Sequence, residues 1–343
     1  MSEVVTQQPL GLQHWDEIVG HAAERQRLVR TGFFPSLLFS GPSGLGKRLV
    51  GAWFAAWTNC ASPPQGPPWA CSCAECSRYL KNQHPDLVWL QRQPGKLSLG
   101  VGEVRDLIAQ LQLRPYQARS RVCLIDEAVR LTEEAKSALL KTLEEPPQGN
   151  MLILICSQES RLLPTVLSRC RMVRFRPVPG QEMVEWLLQR GCPEEAAQTY
   201  AHLTQGCPGE ARRFWEEPLL WQASEQLLDA LDSLAGSSLG AAVEVAGKLE
   251  KLRVPGLEGR GQLEWVLDRI QLYLRDATMQ ALETAEQPLP LVHVHRRQQL
   301  QRWSQHAQAL GRWQEALQEA RTYLQANVNT RLLLQDLMTR LRR

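Results

Sequence analysis

Between residues 36 and 175 the chain alternates two kinds of pattern. Short runs are almost wholly apolar: SLLFS (36–40), DLVWL (86–90), RVCLI (121–125), MLILIC (151–156) and RMVRF (171–175). Between them, 46–58, 101–113 and 132–145 read as helices. Nearly continuous apolar runs of this length suit strands buried on both faces, as parallel strands are. The alternation predicts an α/β domain, a parallel sheet with helices on both faces. The third helix carries its own punctuation. Thr132 suits the N-cap, Glu133 and Glu134 suit the positive end of the dipole, and Pro146 and Pro147 stop it. Ala135, Ala138, Leu139, Thr142 and Leu143 fall on one face.

After residue 176 no strand pattern recurs. PVPGQEMVEWLLQRG and PEEAAQTYAHLTQG predict two helices with Pro and Gly at their ends. From 217 to 343 the chain is rich in Leu, Ala, Gln and Arg at helical spacing, with breaks near 235–240, 253–259 and 285–291. The expected division is 1–175 (α/β), 176–216 (a small helical unit) and 217–343 (a larger helical domain).

Composition adds limits. The 343 residues suit two or three domains, and 43% hydrophobic with 22% charged residues is an ordinary globular balance. A net charge of +3 neither requires nor excludes a nucleic-acid partner. The start of the chain lacks the basic and apolar regions of a signal peptide, and no apolar run is long enough to span a bilayer. A soluble, cytoplasmic protein with no membrane partner is expected. The eleven Trp are scattered, as core residues are, and Cys123, Cys156 and Cys170 are expected in the core.

The stretch GPSGLGKR (41–48) fits the phosphate-loop pattern G-x-x-x-x-G-K-[ST] at every position but the last. It follows a predicted strand and opens a predicted helix, as that chemistry requires. Glycines (Gly41, Gly44, Gly46) let backbone N–H groups turn toward phosphates, and Lys47 reaches the terminal ones. Arg48 stands where a hydroxyl would ligate Mg²⁺, and a guanidinium has no lone pair to offer. Asp126 and Glu127 follow the RVCLI strand, where an Asp can sit near Mg²⁺ and a Glu can polarise water.

Cys60, Cys71, Cys73 and Cys76 cluster in an inserted, Pro-rich segment (60–76). Four thiolates can enclose a structural Zn²⁺ and leave no open position for catalysis. A redox pair (Cys73, Cys76) and unrelated thiols are the alternative readings.

ALLKTLEEPP (138–147), VLSRC (166–170) and the Cys cluster behind the loop together resemble the bacterial clamp-loader ATPases of the AAA+ class, and within it the delta-prime group of DNA polymerase III. NQHPDLVWL (82–90) and NVNTRLLLQDLMTRL (327–341) extend the likeness over nearly the whole chain. The resemblance implies an AAA+ P-loop domain, a small helical lid and an all-α collar for oligomerisation. It makes Arg169 an arginine finger offered in trans to a neighbour's ATP, and Ser157 a loose match to the polar sensor. The slot for a γ-phosphate-contacting arginine falls on Gly209, with Arg212 one turn later. The Cys spacing departs from the family by one residue between Cys71 and Cys73.

The same resemblance implies a non-motor subunit with little or no ATPase activity of its own, inside a DNA-directed DNA polymerase (nucleotidyltransferase) holoenzyme. Its implied partners are the gamma/tau motor subunits, the delta subunit, primer-template DNA and the sliding clamp. Zinc is its implied cofactor, and ATP with Mg²⁺ is left open. The alternative is an ATP-hydrolysing motor subunit of gamma/tau type. A free-standing zinc-containing nucleic-acid module is the weaker third reading. His293, His295, Arg296, Arg297, Arg340, Arg342 and Arg343 are expected on solvated helix faces.

Overall fold

The computed structural model describes residues 12–62, 71, 73–93, 96, 98–234, 237–283, 289, 291–326 and 328–342. The Pro-rich stretch 63–70 and most of the expected break at 285–291 lie outside them. The chain divides into two compact units, Met1–Trp186 with Gly206–Gly209, and Leu187–Gln205 with Glu210–Arg343.

The first unit holds five strands: β1 (Ser36–Ser40), β2 (Leu87–Leu90), β3 (Arg121–Ile125), β4 (Asn150–Cys156) and β5 (Arg171–Arg174). They form one sheet in the order β2-β3-β4-β1-β5, every pair parallel. Leu37 of β1 stands opposite Ile153 of β4 on one side and Arg171 of β5 on the other. The helices are α1 (Ala22–Thr31), α2 (Lys47–Asn59), α3 (Ala74–Leu80), α4 (Val101–Leu111), α5 (Glu133–Glu144) and the short α6 (Pro164–Leu167).

Successive strand residues point to opposite faces. Leu37, Phe39, Val122, Leu124 and Ile153 pack in one core with residues of α1 and α2. Leu38, Cys123, Ile125, Leu152 and Leu154 pack in the other with residues of α4 and α5. Two apolar faces explain why the strands read as continuous runs. The expected α/β architecture, a parallel sheet with helices on both faces, is the one observed. Because β4 lies between β1 and β3, the segments that leave β1 and β3 open at the same sheet edge, on either side of the end of β4. Thr132 caps α5 as expected, its Oγ1 accepting from Ala135 N–H at 3.2 Å.

The second unit is helical in its described residues, with Pro218–Asp232, Leu239–Lys251, Gly259–Leu282 and Thr330–Leu341 among its helices. Leu227, Val245, Leu267, Ile270, Leu310 and Leu337 are in its core. No described helix is long and apolar enough to cross a membrane.

Two expectations are corrected. His293 and Arg296 do not lie on a solvated face; both are buried. Arg296 donates to Glu225 (2.6 Å), Asp229 (2.8 Å) and Asp232 (2.9 Å), and His293 Nδ1 is 2.9 Å from Asp276. A ring of carboxylates replaces the water that these bases would otherwise need. Cys123 and Cys156 are in the core, whereas Cys170 is only half-buried.

Candidate nucleotide loop and thiol cluster

The 41–48 loop leaves β1 and enters α2, which begins at Lys47. Gly41 has φ 143°, and a Cβ there would lie 2.3 Å from the Phe175 carbonyl oxygen, so only glycine fits beside the end of β5. The buried Lys47 donates to the carbonyls of Gly41 and Pro42, both at 2.6 Å. Burial pulls its pKa down, while Asp126, Cys156 and Cys207 act the other way. Two more carbonyls of the loop are occupied. Gly209 N–H donates to Gly44 at 2.8 Å, and His21 Nε2 lies 2.8 Å from the Leu45 oxygen. A Cβ on Gly209 would stand 3.0 Å from the Gly44 oxygen, which leaves almost no room for a side chain.

Arg48 faces the acidic end of β3. Its Nε is 3.4 Å from Asp126 Oδ2, and Nη2 donates to Gln91 Oε1 at 3.1 Å. The guanidinium lies over the Trp89 ring, 4.9 Å from its centre. Burial pushes the Asp126 pKa up, and Arg48 is the strongest opposing influence. Glu127 has left-handed backbone (φ 47°), and its carboxylate accepts from Arg92 Nε at 3.2 Å. Each acidic residue of the site thus has a cationic partner from this same chain. Half-buried Ser157 follows β4 directly, between the two.

Arg169 stands apart from this group. It follows α6, and its partners are Thr165, Ser168 and Glu144. Arg212 pairs with Glu216 within its own helix, at 2.7 Å.

The four clustered thiols do converge. The Sγ atoms of Cys60, Cys71, Cys73 and Cys76 all lie within 4.8 Å of one another, so the shortened Cys71–Cys73 spacing does not exclude either residue. Cys60 Sγ is 3.4 Å from Cys71 Sγ and 3.7 Å from Cys73 Sγ. Four sulfurs about 2.3 Å from a tetrahedral centre would be about 3.8 Å apart, so the donor set fits Zn²⁺. Cys60 ends α2, and Cys73 is the N-cap of α3, accepting from Cys76 N–H at 3.5 Å. Burial pushes the Cys60 and Cys76 thiols up. Burial acts on Cys73 too, but hydrogen bonds from Cys76 and the neighbouring thiols bring it down to about 7.

Sequence reasoning missed His21, Trp89, Gln91, Arg92 and Glu144. Trp89 and Glu144 lie inside stretches quoted for the resemblance but had no role there, and His21, Gln91 and Arg92 lie outside them; each acquires its part through a neighbour distant in the chain.

Residues 25–179 match the family model described as DNA polymerase III, delta subunit. The matched segment contains all five strands, the loop, the thiols and Arg169. The matched segment is 155 of the chain's 343 residues. Across this and adjoining sequence the chain is similar to the delta-prime subunit of DNA polymerase III from Escherichia coli K12, 33% identical over 57% of this chain and 58% of that one. It is similar to the tau subunit of Bacillus subtilis at 32% identity, over 50% of this chain and 31% of that one. Among solved structures, a gamma-subunit-related protein of Thermotoga maritima aligns with 94% of this chain and 99% of its own, at 18% identity and a TM-score of 0.45. The chain thus spans about three fifths of the delta-prime relative and about a third of the tau relative.

Proposed function

We propose that this protein is a delta-prime-type subunit of the DNA polymerase III clamp loader. It works in the cytoplasm, beside gamma/tau motor subunits and a delta subunit, to place the sliding clamp on primed DNA. It hydrolyses little or no ATP itself. The observation that carries this reading is Arg48, a fixed cation paired with Asp126 in the position where the loop pattern calls for a magnesium-ligating hydroxyl. The guanidinium neutralises the carboxylate that a divalent ion would use. Lys47 and Glu127 are likewise engaged within the chain.

In this reading the protein's contribution to hydrolysis is Arg169. A guanidinium stabilises negative charge on a transferring phosphoryl group, and here it serves the nucleotide of the adjoining motor subunit. The four thiols hold one structural Zn²⁺, which cross-links the 60–76 insertion to α2 and α3. The working division is a nucleotide-binding-like domain (1–175), a small lid (176–216) and a collar (217–343).

The test is reconstitution. The isolated protein should show no significant ATP turnover. In the complex assembled with motor and delta subunits, Arg169→Ala should leave assembly intact and lower the ATPase rate. Single fingers are worth roughly 10³–10⁵ in simple GTPases, and the loss here should be smaller because other motor sites keep their own. An unchanged rate would remove the trans role. Turnover by the isolated wild-type chain at motor-subunit rates would instead make it a gamma/tau-type motor.

A further inference from the structure

Arg169 is not free to move unopposed. Its Nη1 donates to the Thr165 carbonyl at 2.9 Å and lies 3.5 Å from Ser168 Oγ. Its Nη2 is paired with the carboxylate of Glu144. Glu144 is the last residue of α5, and the next residue, Glu145, is acidic too. A carboxylate at a helix C-terminus sits at the negative end of the dipole, where it is unfavourable. Helix stability therefore gives no reason for a carboxylate at this position, and the partner it has is Arg169.

The pair has two features of a reversible hold. Both side chains are partly open to solvent, 28% for Arg169 and 48% for Glu144. Exposed ion pairs are worth little. The Arg169 Nε atom is buried and makes no hydrogen bond among the described residues. The guanidinium is thus held on one edge while another donor stays unsatisfied. A polyphosphate carries more negative charge than one carboxylate and accepts several N–H groups at once, so it competes effectively for such a fork.

We propose that Glu144 is a cis restraint on the arginine finger. It keeps Arg169 against the α5–α6 corner and releases it when the neighbouring subunit presents the terminal phosphate of its ATP. This rests on the trans-finger reading and adds the residue that regulates it. Glu144 touches neither nucleotide nor phosphate; it acts only through Arg169.

The experiment uses the reconstituted complex with Glu144→Gln, which keeps the shape and removes the charge. A restraint reduces the fraction of competent finger, so removing it should lower the ATP concentration for half-maximal hydrolysis about two- to fivefold. The maximal rate should not change, because the engaged arginine is the same. Glu144→Asp retains the charge and should stay closer to wild type. In an Arg169→Ala background, Glu144→Gln should do nothing further. An unchanged half-maximal concentration, a lower maximal rate, or an effect that persists without Arg169 would each overturn the restraint. Thermal melting of the Gln variant identifies any effect that comes through folding. Arg169→Ala run in parallel separates the two proposals. If Arg169→Ala lowers the rate and Glu144→Gln changes nothing, only the restraint fails; if Arg169→Ala changes nothing, the finger reading fails and takes the restraint with it.

Discussion

Arg48 is the one position at which the 41–48 loop departs from the phosphate-loop pattern. The surrounding glycines and Lys47 keep the pattern of a phosphate cradle, yet the Arg48 guanidinium is stacked on Trp89 and paired with Asp126. Arg48→Thr removes that cation and restores a hydroxyl, so the variant should gain Mg²⁺-dependent nucleotide binding, read by titration calorimetry. It should still not turn over ATP in isolation. Gly209 lies backbone-to-backbone against Gly44 and offers no side chain to a γ-phosphate, and no neighbour supplies a finger. Robust hydrolysis by the isolated variant would show that the missing hydroxyl was its only defect. A second residue-scale case is Asp86. Burial alone would push its pKa up. Three backbone N–H groups, from Tyr116, Gln117 and Ala118 at 2.8–2.9 Å, and the Arg121 guanidinium more than offset this, and the pKa falls below the ordinary 3.8. A carboxylate depressed in this way stabilises the fold above its unfolded pKa and loses that contribution as pH falls through the folded one. Asp86→Asn should therefore cost about 2 kcal/mol at neutral pH. The gap to wild type should close only below pH 3.8. A gap that stays constant from pH 7 to pH 2 in denaturant titrations would assign the effect to shape rather than charge.

At the scale of elements, the thiol cluster is anchored from both sides. α3 has only seven residues, too few to be stable alone. Tyr79 on α3 stacks on His84 at 4.0 Å, and its hydroxyl accepts from Asn59 of α2 at 2.7 Å. Asn59 in turn bonds both backbone groups of Ser120, just before β3. Metal would add a covalent-strength link among Cys60, Cys71, Cys73 and Cys76. Elemental analysis of untagged protein purified under reducing conditions should give one Zn²⁺ per chain. Cys76→Ser should lose it and speed amide exchange in α3, while β1, β3 and β4 keep their protection. A metal content near zero in the wild type would reject the site. The strands were legible to within about a residue because burial on both faces makes each one a continuous apolar run. Helix α5 was legible through its cap and its prolines.

At the scale of the whole molecule, each compact unit has its own apolar core, sheet-based in one and, among the described residues, helical in the other. The helical unit also has a polar tie. Arg296 joins three carboxylates, and one of them, Asp232, also accepts from the Tyr273 hydroxyl and from Trp303 Nε1. Arg296→Met leaves those carboxylates facing one another and should cost about 3 kcal/mol. For a unit of this size that is a fall of roughly 6–12 °C in its melting temperature. Calorimetry should show one transition lowered and the other, sensitive to thiol-directed chelators, unmoved. Two transitions falling together, or neither, would show that the tie is not local to this unit.

By itself the sequence determined what depends on neighbours a few residues apart: the strands, the capped helix, the loop at a strand–helix junction, and the clustering of four thiols. Burial periodicity, capping and turn chemistry are local, so they are written locally. Only the tertiary structure decided which charged and polar groups meet. Arg169 reaches Glu144 across 25 positions, Arg92 reaches Glu127 across 35, Arg48 reaches Gln91 across 43, and Arg296 reaches Asp232 across 64. Strand order and helix packing set those meetings, and an arginine looks the same in a sequence whether water or a buried carboxylate will receive it. That is why Arg296 and His293 were expected at the surface and are found inside.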